Sequence, residues 1–410
     1  MPEIFDVAVV GGGAAGIAAA RQLVRQKRSV LLLEALPRLG GRAHSVTVDG
    51  MAIDLGCGWL HSAERNPLAA LAAATSAIVD RRESAWRKQL RDRNITAEEQ
   101  RQSWHAYEAF LERLHGNPPA SDCAGDALPA DDRWRPFIDG LSSFVNGTEL
   151  DRLSVADFLA YEDASSDENW RLPAGMGNFI AGLAAELPTS LSTAVTAIAE
   201  DSAGVALETG RGTIRARAAI IAVSSAVLAS GAIRFAPAVD EHLHAASHLP
   251  LGLADKIILS MAEPQAVPAE SHLLGRFDRA GTGSYYLRPF GRPLVECFLG
   301  GRQALALEQE GDAAAIAFVR DELGSLMGSD FARGLIPVAV TRWAHAPTIL
   351  GSYSHALPGH AGARAVLARP VSERLCFAGE ACSAQDFSTA HGAWQSGVAA
   401  AEWIGRHLRA

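Results

Sequence analysis

Apolar residues along this chain come in runs, and each change of spacing marks an expected element. Phe5-Asp6-Val7-Ala8-Val9-Val10 reads as a buried strand, Gly11–Gly16 as a glycine turn, Ala14 to about Arg28 as an Ala-rich helix, and Val30–Leu33 as a second buried strand. His44–Val48 and Met51–Leu55 flank Asp49-Gly50, a hairpin signal. Gly56-Cys57-Gly58-Trp59-Leu60-His61 is too glycine-rich for regular structure. The Ala/Leu run after Asn66-Pro67 predicts a helix to about Ala77, capped by Asn66. Residues 81–170 change character: Trp86, Trp104, Tyr107, Phe110 and Leu114 recur at helical spacing among Arg, Glu and Gln. A Pro/Asp-rich surface loop is expected at Asn117–Asp132.

Pro173–Gly177 returns the chain to the first layer. Thr193–Asp201, Gly204–Thr209 and Gly212–Ala216 predict a β-meander, and Ala218–Val223 a buried strand. Within 235–365, Lys256–Met261, Ser284–Leu287, Leu294–Leu299 and Pro337–Arg342 read as strands and Asp312–Met327 as a helix. Leu375–Ala378 is a last strand, followed by Gly379-Glu380 and a helix from about Gly392 to His407. The order predicts an α/β protein. A discontinuous Rossmann-like domain is expected from 1–80, 171–234 and 366–410, with an inserted α+β domain from 81–170 and 235–365.

At 410 residues, 48% hydrophobic and 20% charged, the chain is long enough for two such domains. A net charge of −9 without a basic block argues against nucleic acid and anionic membranes as partners. Cys57, Cys123, Cys297, Cys376 and Cys382 are odd in number and lack CxxC spacing, so reduced thiols are expected and no metal site. The first strand begins almost at Met1, leaving no room for a signal peptide, and no apolar tail follows His407. Val7–Ala20 contains the glycine turn, and Ala218–Ile233 is broken by Ser224, Ser225, Ser230 and Gly231, so neither reads as a membrane span. A cytoplasmic protein is the expectation.

The glycine turn carries the first chemistry. Gly11 permits a tight turn, Gly13 lets the backbone approach a pyrophosphate, and Gly16 lets the helix pack close to the strand. The helix start at Ala14-Ala15 offers free N–H groups to phosphates. Glu34 follows Gly16 by eighteen residues, the spacing of an acid that accepts ribose hydroxyls, and its charge would repel a 2′-phosphate. A plain NAD dehydrogenase is compatible with this much. Phe377-Ala378-Gly379-Glu380 followed by Ser388-Thr389-Ala390-His391-Gly392-Ala393 favours a flavin. A strand ending in Gly-Glu brings backbone and a carboxylate to a ribityl or ribose hydroxyl. The next helix N-terminus would stabilise the charge that an isoalloxazine gains on reduction.

These segments, with Gly40-Gly41-Arg42, Asp54-Leu55-Gly56, Val195–Ile198, Lys256 and Trp343, resemble the flavin-containing amine oxidase family. Gly58-Trp59-Leu60-His61…Asn66-Pro67 and Leu251–Ile257 are most similar to polyamine oxidases. The resemblance implies an FAD-binding domain of the glutathione-reductase type. It implies FAD contacts from Gly11, Gly13, Ala14, Ala15, Gly16, Glu34, Ala35, Gly41, Arg42, Gly56, Gly58, Trp59, Val195, Trp343, Gly379, Glu380 and Ala390. Arg42 would meet the pyrophosphate, Val195 the adenine, and Ala390 N–H the flavin pyrimidine edge. Lys256 would hold a water at flavin N5 and assist reaction with dioxygen. Composition singles it out too: it is the only lysine after Lys88, in an apolar strand where an unpaired ammonium is costly. Tyr353 matches the first tyrosine of the monoamine oxidase pair and Thr389 stands at the second, so half an aromatic cage is expected around the substrate. Ser352 stands where those enzymes carry a flavin-linking cysteine, so FAD is expected to be non-covalent. His61 either lines the substrate channel and relays protons or is satisfied locally.

The activity implied is oxidation of the C–N bond of a small, polyamine-like amine to an imine, with O2 reduced to H2O2. An L-amino-acid oxidase, a desaturase and a non-catalytic flavin scaffold are the alternatives. The residues say nothing of oligomeric state.

Overall fold

The computed structural model describes residues 4–86, 89–90 and 95–408. Strand Phe5–Val10 pairs in parallel with Val30–Leu33 on one side and with Gly212–Ile221 on the other. The sheet has eight strands among the described residues, Leu375–Phe377 being added in parallel to Gly212–Ile221. The meander and the buried strand expected either side of residue 217 are one continuous strand. Its first half pairs antiparallel with Gly204–Thr209, and its second half passes to Leu375–Phe377 on the same edge. The change of partner explains why its residues read as two patterns. Because Phe5–Val10, Val30–Leu33, Gly212–Ile221 and Leu375–Phe377 run in parallel, their C-terminal ends share one edge, where open α/β sheets place ligands.

One face of this sheet is covered by helices Ala14–Arg25 and Ala390–His407. They approach closely at Gly397, where an added Cβ would stand 2.0 Å from Ala15 O. Gly397→Ala is therefore expected to push the helices apart and to cost about 1–3 kcal/mol. A lower midpoint in a urea melt checks this, and an unchanged one contradicts the packing. The other face buries Val205, Leu207 and Phe377 together with Val239, Ala245, Ala246 and Leu249. Arg234–Ala236 joins the sheet beside Val195–Asp201, so the layer runs past the expected boundary at residue 234 to about Leu249.

The second sheet is antiparallel, in the order Ser271–Leu274, Ser284–Leu287, Leu294–Gly300, Ala254–Met261, Leu335–Val340. Pro337 is tolerated because its strand lies at the edge. The sheet is two-faced, as period-2 side-chain alternation requires. Ile257, Leu259, Tyr285, Val295, Cys297 and Leu299 point into a core under helix Asp312–Met327. Lys256, Ile258, Glu296, Phe298, Tyr286 and His272 occupy the opposite face by register. Helices Ala97–Gly116, Arg135–Val145 and Val155–Glu162 build a third core around Phe110, Phe137 and Phe158. The helical expectation for 81–170 also covers Arg87, Lys88 and 91–94, which lie outside the described residues. Asn117–Asp132 is not a plain surface loop. Its Ala124–Ala127 turn is tucked into this core, with Ala124 and Leu128 buried.

Smaller differences are at element ends. The first helix stops at Arg25 and the second at Ala74. The last begins at Ala390, capped by Thr389 Oγ1, which accepts from Gly392 N at 3.0 Å. The hairpin turn has positive φ at both Asp49 and Gly50, the mirror-image turn whose twist suits paired strands.

Candidate active site

The glycine turn sits at the end of the first strand and is drawn tight. Gly11 has φ +105°, and a Cβ on Gly16 would fall 1.8 Å from Gly11 O. Gly13 bridges to Gly40 and Gly40 N donates to Gly12 O at 2.8 Å, so the two glycine segments lie side by side. Gly13 nonetheless faces open space: a Cβ there would meet nothing nearer than 3.9 Å. Gly13 caps helix Ala14–Arg25 without a side chain, leaving first-turn N–H groups at Ala14 and Ala15 for an anion.

Glu34 is buried at the end of the neighbouring strand. Its oxygens accept from Gly12 N at 2.6 Å and Leu36 N at 2.8 Å, which holds the carboxylate against the turn. Burial pushes its carboxyl above the usual range, against the pull of those two bonds and of Arg38. Thr193 N donates to Glu34 O, bringing the start of strand Val195–Asp201 beside Glu34 and Ala35.

Arg42 Nη1 donates to Ser352 O and to Glu380 Oε1, both at 2.8 Å, and its remaining guanidinium nitrogens have no hydrogen-bond partner among the described residues. Glu380, the carboxylate expected to suit a ribityl or ribose hydroxyl beside Gly379, is already engaged within the chain. Its carboxylate is 4% exposed and accepts from Arg42, from Ser354 Oγ at 2.6 Å and from Ser388 N at 2.9 Å. Burial would raise its carboxyl, but Arg42 and Arg364 outweigh that and hold it low. Glu380 thus orients Arg42. Gly379, with φ +152°, keeps the backbone approach at the strand end, and Ala390 opens the last helix with its N–H outside the helical ladder.

Lys256 is 7% exposed, and its Nζ donates to Asp54 O at 2.7 Å while lying 5.0 Å from the Phe298 ring centre. A Cβ on Gly58 would stand 3.7 Å from that Nζ, in van der Waals contact, so the ammonium lies against the 56–59 loop. A Cβ on Gly56 would strike Arg42 O. The loop therefore packs directly on Arg42 and presents Lys256 to the same edge.

Trp59 continues into an aromatic row. Its ring centre is 4.3 Å from Trp86 and 5.8 Å from Tyr286, and His61 is 6.0 Å from Trp86. His61 Nδ1 meets Asn169 Oδ1 at 2.6 Å, which assigns the proton to Nδ1 and leaves Nε2 as an acceptor. Burial pulls its pKa down to about 4, so the ring is neutral at physiological pH. His61 thus stands beside the aromatic row and is hydrogen-bonded locally.

Two residues expected at the substrate have their hydroxyls engaged within the chain. Thr389 is buried and its hydroxyl is spent, donating to Asp386 O at 2.6 Å and capping the last helix. Tyr353 donates its hydroxyl to Phe144 O and pairs across Gly252, so it ties the helical insertion to the second layer. Trp343 is 7% exposed and packs in the core under the second sheet. A pair of buried carboxyls holds its segment. Asp255 Oδ1 accepts from Thr341 Oγ1 and Trp343 N, and Glu308 accepts from Ala344 N and His345. Burial first, and then the adjoining Glu308, push the Asp255 carboxyl well above its usual range, so it keeps a proton shared with Glu308. The folded state then binds more protons than the unfolded one, and stability falls as pH rises above about 4, by about 1.4 kcal/mol per unit of pKa difference. Asp255→Asn should flatten that slope, because an amide donates to Glu308 at any pH. Melting temperatures of both proteins at pH 6 and pH 9 check it; equal losses contradict it.

Sequence reading missed Glu296, Phe298, Tyr286 and Arg171. The signal was present in Leu294-Val295-Glu296-Cys297-Phe298-Leu299, where an acid alternates with core residues. Arg171, sandwiched near Trp59, Tyr286 and Phe290, is committed to Asp80 and Glu270.

Residues 14–404 match the family model of flavin containing amine oxidoreductase. Polyamine oxidase 5 of Oryza sativa subsp. japonica is 31% identical over 442 residues, covering 98% of this chain and 88% of the relative. Polyamine oxidase 2 of Arabidopsis thaliana is 30% identical, covering 97% and 87%. A solved double mutant of putrescine oxidase shares the fold, with TM-score 0.77 at 19% identity over 98% of each chain. Together with the glycine cradle, Arg42 and the buried Lys256, these matches show that the chain belongs to the flavin-containing amine oxidoreductase family.

Proposed function

We propose that the chain binds FAD non-covalently and oxidises the C–N bond of a small, polyamine-like amine, with dioxygen as acceptor and hydrogen peroxide as product. The buried Lys256 ammonium, fixed by Asp54 O beside Gly58, carries the reading. The residues fit the cofactor. Gly11–Gly16 and the free N–H groups of the first helix suit a pyrophosphate, and Arg42 has unused donors there. Glu34 suits the adenosine ribose, and Ala390 opens a helix toward a ring that gains charge. Ser352 Oγ is engaged with Ala254 N and O, and no thiol stands at that position. When bound, FAD supplies the acceptor for the hydride of the amine α-carbon and passes the electrons to dioxygen.

The chain's own residues do the rest. Trp59, Trp86 and Tyr286 form an aromatic wall suited to an amine. Neutral His61 offers Nε2 as an acceptor at one end of that row. Lys256 has two donors left after Asp54 O, enough to hold a water and deliver a proton to reduced dioxygen. The five free cysteines fit a reducing compartment, in keeping with the cytoplasm. Among the described residues no helix is long and apolar enough to cross a membrane. An oxygen-electrode screen of the purified yellow protein against polyamines, monoamines and amino acids tests the reading. Peroxide formation with amines is the expected result; a flavin that no amine bleaches under argon would overturn it.

A further inference from the structure

A buried charge cluster at the start of helix Ala390–His407 has no part in the chemistry described above. His391, the second residue of that helix, is 2% exposed, and its Nε2 lies 3.1 Å from Asp386 Oδ1. Neither ring nitrogen has an aligned hydrogen-bond partner among the described residues, so neighbouring charge decides whether the ring holds a second proton. Asp386 is 6% exposed and is gripped by the Arg65 fork, Nη2 to Oδ1 at 2.6 Å and Nη1 to Oδ2 at 2.9 Å. Burial would raise its carboxyl, but His391 and Arg65 outweigh that and hold it low, so the imidazole faces a carboxylate. The Arg65 side chain is 35% exposed, so water reaches the far side of the pair.

The backbone fixes this cluster at the cofactor edge. A Cβ on Gly392 would stand 1.9 Å from Asp386 O, so a glycine there lets the 386–389 turn fold back on the helix. Thr389 Oγ1 donates to Asp386 O and takes the Gly392 N–H, which leaves the Ala390 and His391 N–H groups for an acceptor. With FAD bound, that is the edge where charge arrives on reduction, and the His391 ring belongs to the same turn. Two further titratable groups face the cluster from packed elements. His61, from the 58–61 loop, is neutral, and burial pushes the Tyr161 hydroxyl of helix Val155–Glu162 up to about 12. Asp386 and Arg65 are the ionised members.

We propose that His391 is a redox-linked proton holder: neutral while the cofactor is oxidised, it takes one proton from water when the cofactor accepts hydride, and it gives that proton up when dioxygen removes the electrons. This rests on the FAD-dependent reading above and goes beyond it. Hydride brings two electrons and one hydrogen nucleus, which leaves the bound cofactor one negative charge richer. A negative charge arriving within about 4–6 Å of an imidazole favours its protonated form. The imidazolium then lies between Asp386 and the new charge, with Arg65 offsetting part of the carboxylate. On reoxidation His391 returns its proton to water, while Lys256 delivers one to the oxygen and recovers one from water. Hydride and one proton thus leave as hydrogen peroxide.

The test is a redox titration of the holoprotein under argon against dyes of known potential, from pH 6 to pH 9, with no amine present. At a fixed potential, two electrons taken up with one proton change the ratio of reduced to oxidised flavin about 10-fold per pH unit, and with two protons about 100-fold. The unaltered protein is expected to show the steeper dependence near pH 7, and His391→Gln the shallower one. Asp386→Asn, which removes the carboxylate from the imidazole, should confine the steeper dependence to lower pH. A shallow dependence in the unaltered protein overturns the proposal without any variant having to fold. So does a steep one that His391→Gln leaves unchanged, which would place the second proton elsewhere. Failure of the amine oxidase reading shows separately, as a flavin that dithionite reduces and no amine bleaches, and it leaves this titration unaffected.

Discussion

Lys256→Met is expected to leave a yellow, folded protein that consumes oxygen on the order of 100-fold more slowly, the range in which one positioned proton donor acts. Methionine matches the length of the lysine stem, so the contact with Phe298 and the fit beside Gly58 are kept. What is lost is the donor to Asp54 O and the two N–H groups left over from it. Rapid mixing should place the defect in one half of the cycle: anaerobic reduction by amine should change only a few-fold, while reoxidation of the reduced protein by dioxygen carries the loss. Reoxidation at the unaltered rate would remove Lys256 from the reaction.

Arg364→Ala should be the most destabilising of the single changes, by about 3–5 kcal/mol, because it strands a buried carboxylate. Arg364 and Asp157 are each 2% exposed and meet through two bonds, Nε to Oδ1 at 2.5 Å and Nη2 to Oδ2 at 2.8 Å. Arg364 Nη1 also donates to Ser354 Oγ, whose hydroxyl donates in turn to Glu380, which holds Arg42. The loss should therefore appear twice, as a lower urea midpoint and as weaker FAD retention on gel filtration. Replacing both partners, Arg364→Met with Asp157→Leu, should recover part of the stability. A single variant as stable as the parent would show that the pair carries no such load.

Local rules read the cofactor edge well. Gly11–Gly16 needed only a strand before it and a helix after it, and both are short-range signals. Asn66 capping Leu68 N and Asp49-Gly50 turning a hairpin are local in the same sense. The substrate side is different, because its residues are set by register and by remote partners. Glu296 becomes a site residue only when its strand pairs with Ala254–Met261 so that it falls on the face of Lys256. The bonds of the Thr389 and Tyr353 hydroxyls are hidden in the sequence for the same reason. A hydroxyl committed to a helix cap or to Phe144 O is indistinguishable, in sequence, from one aimed at a ligand. Glu380 stands at the expected edge, but Arg364, which reaches it through Ser354 Oγ, lies in a segment with no motif.

The strand Gly212–Ile221 has a further consequence for how the chain is made. Its site-bearing half waits for Leu375–Phe377, which leaves the ribosome more than 150 residues later. At about 5–20 residues per second, that interval is on the order of ten seconds or more. Throughout it the apolar edge at Ala219–Ile221 is bare, and the first helix lacks the Ala390–His407 cover that closes over Gly397. The last tenth of the chain is thus the keystone of biosynthesis: nascent chains stalled before it should be the ones that chaperones and proteases engage.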